Sequence, residues 1–186
     1  DGFTNSQNLL KHNDNPLYIF DRRFDSSINI IKLHGSIDIY KYTVANEKGS
    51  LINPTGEYIY YKTHNYWEKQ QPCRFDPTTG EMVQSFHWGI DPNFITGTKK
   101  ETIISTDEMY NALYGESTSR MNDSKLLLII GYSFSDDHVN TLIENRIKES
   151  SHPLKIININ PHCKFPLKRC KSKLIKLKKI SELDIN

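Results

Sequence analysis

LLLIIGYSFSDDHVN, residues 126–140, holds the two punctuation points from which an architecture can be argued. Five aliphatic residues in succession are too few for a helix and are closed by Gly131. They read as a strand buried on both faces, the habit of parallel sheets covered by helices above and below. Full burial of the five side chains would contribute on the order of 7–15 kcal/mol of gross apolar transfer. The polar residues that follow open a helix. Ser135 or Asp136 can cap it, and Val139, Leu142, Ile143 and Ile147 recur at helical spacing. A strand that stops at a glycine, then hydroxyls, then a helix start is where open α/β sheets hold ligands, because backbone N–H groups and the positive end of a helix gather there.

Downstream, residues 154–159 (LKIINI) form another aliphatic run closing on Asn160-Pro161. Strand, helix and strand so closely spaced make a βαβ unit. Residues 174–180 alternate Leu/Ile with Lys and suit an edge strand guarded by its lysines. Upstream, residues 28–33 (INIIKL) repeat the grammar of the central stretch, a buried strand ending at His34-Gly35-Ser36. Two strands that end this way are expected to share one crevice. Thr106-Asp107-Glu108 starts a helix whose Met109, Tyr110, Leu113 and Tyr114 share a face. Residues 1–27 are polar and loop-like. Residues 41–95 differ in character, being rich in Tyr, Trp and Phe with Gly and Pro punctuation. There, 58–62 and 82–88 are expected strands and 76–80 (DPTTG) an expected turn. The fold class expected is α/β, a partial Rossmann-like parallel sheet over 1–40 and 96–186, interrupted by an aromatic-rich insertion or lid at 41–95.

At 186 residues the chain is one domain, or one domain with an insertion, and 37% apolar with 25% charged residues supports a packed core. Nothing approaches eighteen consecutive apolar residues and no charged-then-apolar leader opens the chain, so neither a membrane span nor a signal peptide is expected. The first residue is Asp1, which suggests an excerpt of a longer protein. Three separated cysteines (Cys73, Cys163, Cys170) form no CxxC pair and support neither a zinc ribbon nor a disulfide framework, so reduced thiols in a cytoplasmic protein are expected. The net charge of +2 hides an asymmetry. From His162 onward there are eight Lys/Arg against two Asp/Glu, and the remainder carries sixteen against twenty. Such a tail is either a solvated face or a contact for phosphates or an acidic partner; nucleic-acid binding through it is the weakest of the functions weighed.

Among chemistry-bearing residues, His34 is either a structural histidine or a catalyst. Gly131-Tyr132-Ser133 has the shape of a serine-hydrolase elbow, but Ser135 stands where that elbow needs a glycine. The seven histidines include no i, i+4 pair and no local carboxylate cluster, so no metal is expected. None of the nine glycines forms GxG, so the main phosphate loop of any bound nucleotide is not in this chain.

Three blocks in this order, KLHGSID (32–38), GTK (97–99) and IGYSFSD (130–136) with His138 and Asn140, resemble the sirtuin-like NAD-consuming domains of bacterial anti-phage defence proteins. Asp1-Gly2-Phe3 also fits the segment before the histidine strand of that family. The resemblance implies a Rossmann-like sheet that binds NAD+ as substrate, with His34 as catalytic histidine. It implies cofactor contacts at Gly35, Ser36, Gly131, Tyr132 and Ser133, and Asn160 facing the adenosine end. Chemistry agrees: breaking the nicotinamide–ribose bond passes through an oxocarbenium-like centre and needs a base near neutrality. An imidazole supplies one, with an ordinary pKa of about 6.5. Deacylating sirtuins carry a four-cysteine zinc module after the histidine; the aromatic segment in its place points to hydrolysis with water as acceptor. The family's glycine-rich loop and its water-orienting Asn precede the histidine strand and are expected upstream of Asp1. The function implied is NAD+ hydrolysis to nicotinamide and ADP-ribose in anti-phage defence, in a homo-oligomer or with a sensor or companion protein. The rival is a non-catalytic nucleotide-binding or assembly module.

Overall fold

A computed structural model of the chain describes residues 1–5, 10–12, 15–44, 58–63, 73–76, 78–87, 92–97, 99–149, 154–161 and 174–177. These form a mixed α/β protein of two compact units, 1–114 and 115–186. The basic tail from His162 lies outside the described residues apart from 174–177, as do Trp67, Trp88 and Thr98.

The first unit is built on an antiparallel sheet. Its strands are β1 (Phe3–Asn5), β2 (Leu10–His12), β3 (Asn15–Pro16), β4 (Tyr18–Phe20), β5 (Gly35–Val44), β6 (Tyr58–Lys62), β7 (Cys73–Phe75), β8 (Met82–His87) and β9 (Pro92–Phe94). They run in the order β1-β4-β6-β5-β8-β7-β2-β3, with β9 also paired to β5. Two helices follow, α1 (Lys100–Thr106) and α2 (Glu108–Asp123), the latter running on into the second unit. The period-2 alternation of strands explains how the sheet is buried. Tyr40 and Tyr61 are cross-strand partners on one face, their rings stacked 5.6 Å apart above Leu17. Their neighbours Ile39 and Tyr60 face the other way and pack with Ile95 and the Met109, Tyr110 and Leu113 stripe of α2. That stripe is the one the sequence marks. Asp107 caps α2, its Oδ1 accepting from the Met109 N–H at 3.1 Å, while its Oδ2 accepts from Lys41 Nζ at 2.7 Å.

Three expectations fail in this unit. Residues 28–33 are not a strand, and Ile28 and Ile30 are 81% and 67% exposed. Asn29 Nδ2 donates to the Phe24 and Ser26 carbonyls at 3.2 and 2.6 Å, a local turn that competes with any ladder. The strand instead begins at Gly35, beyond the histidine, and it is antiparallel. Residues 1–27, expected as loop, include four short strands, pinned where Phe3 pairs with Phe20. Finally, β6, β7 and β8, from within the segment 41–95, share the sheet of β5, and β5 itself runs across position 40.

The second unit is the βαβ arrangement. β10 (Leu126–Ile130) leads to α3 (Asp137–Glu149) and to β11 (Lys155–Ile159), parallel to β10, with β12 (Leu174–Leu177) parallel beyond it. Ile129 and Ile156 pack with Ile143 of α3, and with Phe134 and Leu154. The expected burial of β10 on both faces is only half met. Leu127 and Ile129 face the helix side, whereas Leu126, Leu128 and Ile130 are 52%, 43% and 53% exposed. The doubly buried strand is β11, whose Ile156 to Ile159 are all buried. Among the described residues β10 is an edge of this small sheet, and an edge strand has fewer neighbours to cover its second face.

Candidate functional site

The turn between β10 and α3 is held from several sides. Gly131 takes φ +64°, which a side chain resists, and a Cβ there would meet nothing within 4 Å, so this backbone borders open space. Phe134 also has positive φ, 59°, and its ring is buried in the unit's core beside Tyr132. Buried packing thus holds a residue in a backbone region that it would otherwise leave. Asn160, one residue past β11, donates from Nδ2 to the Tyr132 carbonyl at 2.7 Å, and the Gly131 N–H donates to the Ile159 carbonyl at 2.9 Å. Asn140 Nδ2 donates to the Phe134 carbonyl at 3.0 Å, and the Tyr132 hydroxyl lies 2.9 Å from the Asp136 carbonyl and 3.0 Å from Asn140 Oδ1. Burial, with the Asp136 and Asp137 charges, raises the pKa of that phenol, so it stays a neutral donor.

Of the two candidate caps, Asp136 is the one used: its Oδ1 accepts from the His138 and Val139 N–H groups at 3.1 and 3.3 Å. A carboxylate therefore already sits at the positive end of α3. A ligand phosphate there would compete with it, and the Gly131 N–H is already given to the Ile159 carbonyl. Beside them stand the hydroxyls of Ser133 and Ser135. Those two hydroxyls are exposed and 2.7 Å apart. Gly131, Tyr132, Ser133 and Asn160 are thus brought together in the second unit, with Asn160 fastening the turn. Asn158, one pleat below Asn160, is fully buried with neither amide atom hydrogen-bonded.

His34, Gly35 and Ser36 belong to the first unit, in the turn that starts β5. His34 is half-buried and its Nε2 is shut off from solvent. Its carbonyl accepts from the Ile95 N–H at 2.8 Å, and the Gly35 N–H donates to the Lys32 carbonyl at 2.9 Å. Gly35 has φ +78°, and a Cβ there would stand 2.1 Å from the Asn93 carbonyl oxygen and 2.4 Å from the Tyr110 hydroxyl. Any side chain there would have to displace β9. Ser36 Oγ accepts from Lys32 Nζ at 2.7 Å, and the same ammonium reaches Asp38 Oδ1 at 3.2 Å. Lys62 bridges Asp1 at 2.6 Å and Asp38 at 3.8 Å. Burial pushes the Asp38 carboxyl up, but the Ser36 hydroxyl, Lys32 and Lys62 outweigh it and hold the group below its ordinary value of 3.8. The polar residues of KLHGSID brace the histidine turn, and Ser36 is engaged in that bracing.

Sequence reasoning missed two residues here. Tyr110 was read only as core, although its hydroxyl lies against the glycine after His34. Arg146 was not singled out, although it falls on the apolar stripe of Val139, Ile143 and Ile147, where a charge is out of place. It is 1% exposed, and its Nε and Nη2 donate to the Met121 and Ser124 carbonyls, both at 2.6 Å, capping the carboxyl end of α2. Among the described residues no group of three or more His, Cys, Asp or Glu is placed to hold a metal ion, and no helix is long and apolar enough to cross a membrane. Comparison with protein-family models, with curated proteins and with solved structures finds no match to this chain.

Proposed function

We propose that the chain acts in a sirtuin-like, Rossmann-type NAD+ glycohydrolase, cleaving NAD+ to nicotinamide and ADP-ribose, and that it serves as the effector of an anti-phage defence system. The observation that carries this reading is the β10–α3 turn. At the carboxyl end of a parallel strand, an open glycine and two exposed hydroxyls are fastened by the asparagine that ends the next strand. Parallel α/β proteins seat nucleotides at such a place. His34 acts as general base: water adds to the anomeric carbon of the ribose, nicotinamide leaves with the bonding pair, and the imidazole takes the proton released by the water. A closed site would be needed to keep this chemistry efficient.

His34→Ala in the intact protein is expected to reduce nicotinamide release from NAD+ by at least 100-fold, on the order of what general bases contribute, with unchanged circular dichroism. Turnover at the wild-type rate removes the assigned base. One observation favours a second reading, a non-catalytic nucleotide-binding or assembly module: the bare apolar face of Leu126, Leu128 and Ile130, a kind of surface that marks contact sites. Leu128→Ser separates the two. If the face is an assembly surface, the variant shifts the sedimentation profile to smaller species; if NAD+ hydrolysis needs no assembly, both profile and turnover stay as in the wild type.

A further inference from the structure

Asparagine is a poor choice near the start of a helix whose cap is already filled, because alanine in its place would propagate the helix better. Asn140 stands at such a place. Asp136 caps α3 through the His138 and Val139 N–H groups, and the Asn140 N–H already donates to the Asp136 carbonyl at 2.9 Å. The Asn140 side chain reaches back out of the helix instead. Its Nδ2 donates to the Phe134 carbonyl at 3.0 Å, and its Oδ1 accepts from the Tyr132 hydroxyl at 3.0 Å. The target is the one non-glycine residue of the turn with a left-handed backbone, φ 59°, which a side chain normally avoids. That backbone has a consequence for its two neighbours. In an extended chain, residues two apart stand about 7 Å from one another, and serine hydroxyls at that spacing do not meet. With Phe134 left-handed and its ring turned into the core, Ser133 and Ser135 are both exposed and their Oγ atoms are 2.7 Å apart. One hydroxyl donates to the other, so the pair presents a single O–H and its remaining lone pairs to solvent.

We propose that Asn140 is a positioning residue: its amide clamps Phe134 in the left-handed conformation and so sets the Ser133–Ser135 hydroxyl pair for ligand contact. Tyr132 completes the clamp. Its hydroxyl has two acceptors in reach, the Asp136 carbonyl at 2.9 Å and Asn140 Oδ1 at 3.0 Å, and by holding the amide oxygen it leaves Nδ2 facing Phe134. The two asparagines around the turn then have separate tasks. Asn160 anchors its start, at the Tyr132 carbonyl, and Asn140 anchors its middle, at the Phe134 carbonyl. That the hydroxyl pair meets NAD+ rests on the proposed hydrolase reading; that the amide sets the pair does not.

The test uses the intact protein with Asn140→Ala and with Asn140→Asp, which keeps the size and the acceptor for Tyr132 but puts an oxygen where the donor faced Phe134. In the wild type, Phe134 is expected to show the strong intraresidue amide–Hα NMR cross-peak of a positive φ. A weak one overturns the proposal at once. Both substitutions are expected to weaken that cross-peak and to displace the Ser133 and Ser135 amide resonances. With NAD+, KM is expected to rise about 3- to 10-fold, the range of one neutral hydrogen bond, while kcat stays within about twofold. Asn140→Asp with cross-peak and serine resonances unmoved overturns the clamp. A loss of stability with KM unchanged overturns the positioning role, because that is what a purely structural asparagine predicts. Should Asn140→Ala fail to fold, the nearly isosteric Asn140→Asp and the wild-type cross-peak decide. A wild type that does not release nicotinamide sinks the NADase reading alone, because cross-peak and resonances still decide the clamp.

Discussion

Two glycines with nearly the same backbone angle differ in what surrounds them, and the difference is measurable. Gly35 and Gly131 have φ +78° and +64°, but a Cβ at Gly35 strikes a backbone carbonyl at 2.1 Å whereas one at Gly131 meets nothing within 4 Å. Gly131→Ala therefore pays only for the left-handed backbone, about 1–2 kcal/mol. Gly35→Ala adds displacement of β9, for a total on the order of 3–5 kcal/mol. Urea midpoints of the two variants check this; equal losses would mean that the crowding at Gly35 relaxes freely. The same crowding shows why a glycine after His34 is a packing requirement as well as a motif letter.

Helices α2 and α3 illustrate how one misplaced charge can hold two elements. The guanidinium of Arg146 takes the place of an aliphatic side chain on α3 and donates to the Met121 and Ser124 carbonyls at the end of α2, the first of which also accepts from the Ser124 hydroxyl at 2.7 Å. Arg146→Met keeps the stem and removes both bonds, with an expected loss of about 2–4 kcal/mol in chemical unfolding. A loss below about 0.5 kcal/mol would show that water caps the helix equally well. On β10, alternation places Leu126, Leu128 and Ile130 on one face and the core residues Leu127 and Ile129 on the other. A continuous aliphatic run cannot reveal which face is covered, because both faces look alike in sequence.

Over the whole molecule, acid sensitivity follows from the carboxylate network around the histidine turn. Asp38 is held below its ordinary value of 3.8 by the Ser36 hydroxyl, Lys32 and Lys62 against an opposing burial effect. A depressed carboxyl stabilises the fold fully above the unfolded value, and the contribution fades as pH falls through the lower folded one. Asp38→Asn should thus lower the urea midpoint at neutral pH. The gap between variant and wild type should close below about pH 3, near and under the ordinary carboxylate range. A gap that persists unchanged in acid would exclude the charge network as its source.

Sequence determined the elements with strong local signals. The βαβ unit from 126 to 159 follows from two aliphatic runs and a 3.6-residue period; α2 follows from its cap and its Met109 to Tyr114 stripe; the Asp76 turn closes with its carboxylate accepting from Thr78 and Thr79 at 2.7 and 2.9 Å. Only the tertiary structure decided that INIIKL is not a strand, that β5 pairs antiparallel with β6 from the aromatic segment, and that β10 is covered on one face only. The physical reason is range. Caps, turns and periodicity are settled within a few residues, where propensities act. Strand pairing, face coverage and the burial of Tyr110 against Gly35 depend on partners tens of residues away, and an isolated run such as INIIKL carries no record of whether a partner meets it.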